Sequence, residues 1–174
     1  MSWISDEVRA RVRDQAGDRC EYCHSPQKYV LGLLEIDHII PQARGGADDE
    51  NNLWLACRLC NAFKGAQTHG LDPITSHRVR LFNSRQQRWA EHFAWDEEGT
   101  RIIGLTACGR ATVLALQLNN VIAVMVRREW VAAGWHPPAD DLSSARSFPL
   151  SSSASPLLAS PAPSYTNCQL KDRV

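Results

Sequence analysis

Four cysteines in two pairs, Cys20-Glu21-Tyr22-Cys23 and Cys57-Arg58-Leu59-Cys60, are the residues of this chain best suited to chemistry. Each pair can bring two thiolates to one cation, and two pairs complete a tetrahedral zinc site. The chain between them is thereby closed into a loop. That loop carries Asp37-His38, Asn52 and, just past the last cysteine, Asn61. Asp37 and Asn61 offer oxygen atoms of the kind a hard cation such as Mg²⁺ or Mn²⁺ prefers. His38 carries an imidazole, a group that can take a proton from water.

These side chains need a scaffold. Ser5 and the acids Asp6 and Glu7 open a helix over residues 5–17. The run from Tyr29 to Ile40 reads as a strand, broken at Gly32 and ended by Pro41. A glycine loop, Arg44-Gly45-Gly46, leads to a second strand from Asn52 to Ala56, and Cys57 to Lys64 turns into a helix. In a regular strand residues 37 and 38 face opposite ways, so a shared site requires the strand to end or bulge there. Asn52 is expected to tie the loop so that His38 is aimed. Asp72-Pro73 marks a turn, and Phe93–Trp95 and Arg101–Ile103 flank a β-hairpin turn at Asp96–Gly99. Helices follow from Thr106 to about Leu118 and from Val121 to Ala133. Residues 143–164, rich in Ser, Ala and Pro, read as disordered.

The fold class is α+β: a zinc-stabilised ββα-metal core, a C-terminal extension of β-hairpin plus helices, and a tail. The expected divisions are 1–70, 71–138 and 139–174. The 174 residues, 44% hydrophobic and 22% charged, suit a soluble globular protein. No apolar run is long enough to span a bilayer, and no secretory signal is visible at the start, so a cytoplasmic, reducing location is expected and paired CxxC motifs are read as metal sites. The balance of 19 basic and 19 acidic residues argues against a protein that coats nucleic acid by charge alone. Arginines 78, 80, 85 and 88 nevertheless make a local basic strip without an acid. With Arg44, Arg58 and Lys64 they are the candidate phosphate contacts.

The segments CEYC, EIDHIIPQARGG and ENNLWLACRLCNAFKG together resemble the HNH endonucleases, the ββα-metal nucleases, over about residues 18–66. The resemblance implies DNA phosphodiester hydrolysis with His38 as general base, Asn52 as the residue that positions it, and a catalytic Mg²⁺ or Mn²⁺ on Asp37 and Asn61. Asn61 departs from the histidine that gives the family its name, a variation that other members share. The alternative is a non-catalytic zinc module that binds nucleic acid, which needs the cysteines but not Asp37, His38 or Asn61.

Overall fold

The computed structural model describes residues 4–141. The disordered reading of residues 143–164 falls outside them. Helix α1 (Asp6–Gln15) begins where the Ser5 hydroxyl accepts from the Val8 amide. Its Val12 is fully buried. Next come the first cysteine pair and strand β1 (Glu35–His38), which pairs antiparallel with β2 (Leu53–Ala56) in the register Glu35↔Ala56 to His38↔Leu53. Helix α2 (Arg58–Lys64) follows directly, capped by Cys57.

β1 is much shorter than the apolar run that suggested it. β2 offers only four residues for pairing, and Gly32, with φ of 81°, breaks the run. Leu31 and Leu33, ahead of the ladder, are left 103% and 75% exposed. β1 shows no bulge and ends at His38, so Asp37 and His38 are both regular members of the ladder.

Beyond α2 the chain forms a hairpin not expected from the sequence, β3 (His69–Leu71) with β4 (Arg78–Arg80). Its turn holds Asp72-Pro73. The short helix α3 (Trp89–His92) and the hairpin of β5 (Phe93–Trp95) and β6 (Ile102–Gly104) follow. Helices α4 (Ala107–Ala115) and α5 (Val121–Ala132) close the order, with Thr106 and Asn120 as side-chain caps. Asp72 is fully buried, and Arg110 of α4 grips its carboxylate at 2.7 and 2.8 Å. That bidentate pair pins the turn of the third and fourth strands to α4.

One apolar core, with Tyr22, Trp54, Leu55, Phe82, Phe93 and Leu116 among its members, joins the segment 1–70 to the segment 71–138. Glu21 strengthens the join. Its carboxylate accepts from the Leu55 amide, the Ser84 hydroxyl and Arg85. Among the described residues no helix is long and apolar enough to cross a membrane.

Candidate functional site

The two cysteine pairs meet because Glu21 is stitched to β2. The Glu21 amide donates to the Leu55 carbonyl at 2.9 Å, which sets the first knuckle beside the strand that runs into Cys57. The sulfurs of Cys20, Cys23, Cys57 and Cys60 all lie within 4.8 Å of one another, and those of Cys23 and Cys57 are 3.8 Å apart. A tetrahedral zinc with bonds of about 2.3 Å separates its sulfurs by roughly 3.8 Å, so the cluster fits this ion. Three of the four cysteines are buried. Burial pushes the Cys20 thiol well above its ordinary range, whereas hydrogen bonds from the other three sulfurs hold Cys23 well below it. A bound cation would stabilise all four as thiolates.

β1 lies against α2. Glu35 and Asp37, two apart and so on one strand face, meet that helix. The Asn61 amide donates to Glu35 at 2.5 Å, and the Lys64 ammonium sits 2.9 Å from one Asp37 oxygen and 3.1 Å from the other. Lys64 also donates to the His38 carbonyl at 2.6 Å. The Trp54 indole supplies a further bond to Asp37 at 2.9 Å. Asp37 is therefore a buried carboxylate with a cation already beside it.

The His38 ring turns to the connection between the strands. Its Nε2 meets Asp48 at 2.5 Å, and Gln42 donates to the same carboxylate oxygen. These contacts, that of His38 first, hold the Asp48 carboxyl below the usual range. The other ring nitrogen, Nδ1, makes no hydrogen bond among the described residues. No direct contact joins the His38 ring to Asp37 or Asn61. Backbone links them instead, through the strand that 37 and 38 share and through the Lys64 bond to the His38 carbonyl.

Asn52 is buried and clamps the same connection. Its Oδ1 accepts from the Ile40 amide at 2.8 Å, and its Nδ2 donates to the carbonyls of Ile40 at 3.0 Å and Ala47 at 2.8 Å. Asp48, the partner of His38, is the next residue. Gly46 is needed for this closure, since a Cβ there would stand 1.7 Å from the Ile40 oxygen.

Two expected phosphate contacts need correction. Lys64 is 2% exposed and spends its charge on Asp37 rather than at the helix surface. Arg85 is turned inward onto Glu21 and the carbonyls of Glu50 and Leu53. In each case a buried carboxylate outcompetes solvent for the cation. Arg44, Arg58, Arg78, Arg80 and Arg88 are exposed. Of these, Arg44 and Arg80 line one cleft of about 530 Å³ whose wall includes Trp54 and Lys64. Arg58 lies apart, on an apolar groove beside the cysteines.

The sequence reading passed over Glu35, Asp48 and Trp54 as site residues. Glu35 carried a signal, because a carboxylate two places before Asp37 must share its strand face. Asp48 carried none, since only the fold of the loop brings it to His38.

No curated protein matches the chain. The family model described as HNH endonuclease matches residues 20–67, from the first knuckle cysteine to just beyond α2. Over that segment the chain is similar to HNH domains, a similarity that suggests a nuclease or nucleic-acid-binding unit, and its four gathered cysteines are consistent with the zinc-knuckle form.

Proposed function

We propose that the chain is a metal-dependent DNA endonuclease that hydrolyses phosphodiester bonds. The observation that carries this is the His38 imidazole, held through Nε2 by Asp48 with Nδ1 left over, on the same short strand as the carboxylate that faces α2. In this role Asp48 fixes the ring, and Nδ1 takes the proton from the attacking water. Asn52 is a positioning residue, acting through the loop that carries Asp48. Asp37 and Asn61, with Glu35 adjoining, are the residues that would supply oxygen donors to Mg²⁺ or Mn²⁺. When bound, such an ion polarises a phosphoryl oxygen and stabilises charge on the leaving oxygen. Lys64 competes with it for Asp37 and keeps that carboxylate oriented beforehand. Structural zinc at the four cysteines holds β2 and α2 in place around the site.

One observation favours the rival, a zinc-stabilised module that only binds nucleic acid. Asp37 is already neutralised by Lys64 and needs no divalent ion for stability. Supercoiled plasmid separates the two. The enzyme relaxes or linearises it with Mg²⁺ and His38→Ala does not, by a factor of about 10²–10⁴. The binding module retards the plasmid without cutting it, and metal makes no difference.

A further inference from the structure

The cleft beside Asp37 is built unlike a surface for duplex backbone. Ile39, Ile40 and Leu81 give it apolar lining over the buried rings of Tyr22, Trp54 and Phe82, and its volume is about 530 Å³. That lies within the range, roughly 300–1,000 Å³, of pockets that enclose a small ligand. Two exposed cations line it. Arg44 comes from the loop between β1 and β2, and Arg80 from β4, next to His69 of β3. Among the described residues no carboxylate lines it. Burial, and then the guanidiniums of Arg78, Arg80 and Arg44, hold the His69 imidazole below its ordinary value. The amide side chains of Gln67, Asn83 and Gln86 also line it.

The cleft is also continuous with the proposed reaction site. Trp54 and Lys64, both on its wall, are the two groups that hold Asp37. The hairpin that bears Arg80 cannot swing away. Its turn is bound through Asp72 to Arg110, and Gly70 approaches α4 so closely that a Cβ would lie 3.1 Å from the Ala111 carbonyl.

We infer that this cleft receives one unstacked nucleotide of a DNA strand, its base against the apolar lining and its flanking phosphates on Arg44 and Arg80. This rests on the chain acting on DNA and narrows the substrate to strands with unpaired or extrahelical nucleotides. A paired base is covered on both faces by its neighbours and cannot enter a recess of this kind, whereas an unpaired one enters at little cost. The phosphates on the two arginines then lead the strand along the wall toward Asp37.

Fluorescence anisotropy in Mg²⁺-free buffer tests this with three labelled DNAs of one sequence: a single strand, a perfect duplex, and a duplex carrying one extrahelical nucleotide. Full-length zinc-loaded protein should bind the first and third about tenfold more tightly than the second. Ile40, 46% exposed on the rim, gives the decisive variant. Ile40→Trp fills the recess and should abolish the preference while leaving duplex affinity unchanged. Gln86→Trp, at another lining position, does the same should the first variant fail to fold. Arg80→Ala should weaken all three DNAs. Equal or tighter binding of the perfect duplex, a preference that survives both tryptophans, or no binding at all would overturn the inference. Plasmid cleavage with Mg²⁺, measured in parallel, reports on the enzyme separately. Preference without cleavage upholds the cleft and sinks the nuclease; cleavage with no preference does the reverse.

Discussion

Asn52→Ala removes one side chain and three hydrogen bonds at once. The Ile40 amide and the carbonyls of Ile40 and Ala47 lose their partner, in a loop where Asn52 itself is 8% exposed. At about 0.5–1.5 kcal/mol each, and more where water cannot replace the lost partner, the loss comes to roughly 2–4 kcal/mol. For a protein of this size that corresponds to a fall in Tm of about 5–15 °C. Urea unfolding followed by tryptophan fluorescence measures it. Asn52→Asp is the sharper variant. The carboxylate still accepts from the Ile40 amide but faces two carbonyls that need donors, so it should be no more stable than the alanine variant. Because Asp48 follows Ala47, both variants should also loosen the His38–Asp48 bond, seen as a change in the His38 ring signals by NMR. A loss under about 0.5 kcal/mol with the His38 signals unmoved would refute the clamp.

Three further outcomes follow from particular contacts. Cys57→Ser, or stripping zinc with a chelator, should abolish the cooperative unfolding transition, because a structural zinc contributes folding energy; a cooperative melt of the zinc-free protein would contradict this. Lys64→Met leaves Asp37 charged, buried and without its ion pair, a change of about 3–5 kcal/mol, and Mn²⁺ should restore part of the lost Tm while raising that of the wild type much less. His136 packs between Trp95 and Trp130, and burial holds its pKa down at about 4. It stays neutral in the fold while the unfolded chain takes up a proton below about pH 6.5. Stability should therefore fall as pH drops from 6.5 toward 4, and His136→Phe should flatten that part of the profile in thermal melts.

The zinc frame was readable from the sequence because ligand type and spacing are nearly sufficient for it. Cys57 follows β2 without a spacer, and the Glu21 amide ties the first knuckle to that strand. Helix starts were equally readable, since Ser5, Thr106 and Asn120 cap within a few residues of themselves. The length of β1 was not, because strand limits are set by a partner far along the chain rather than by local apolar content. Lys64 and Arg85 show the same limit for charge. Their residue type suits phosphate, but which carboxylate lies within reach depends on how α2 and the segment after β4 pack. Asp48 is the clearest case, since nothing near it in the sequence points to His38.

The central claim is that His38, held by Asp48, acts as the base in metal-dependent cleavage of DNA. Its most direct test is cleavage of supercoiled plasmid by wild type and His38→Ala, with Mg²⁺ present and absent, after zinc content and Tm have been shown to match. Metal-dependent nicking or linearisation by the wild type, reduced about 10²–10⁴-fold in the variant, is the expected result. Undiminished cleavage by His38→Ala, or none by the zinc-loaded wild type, would contradict it.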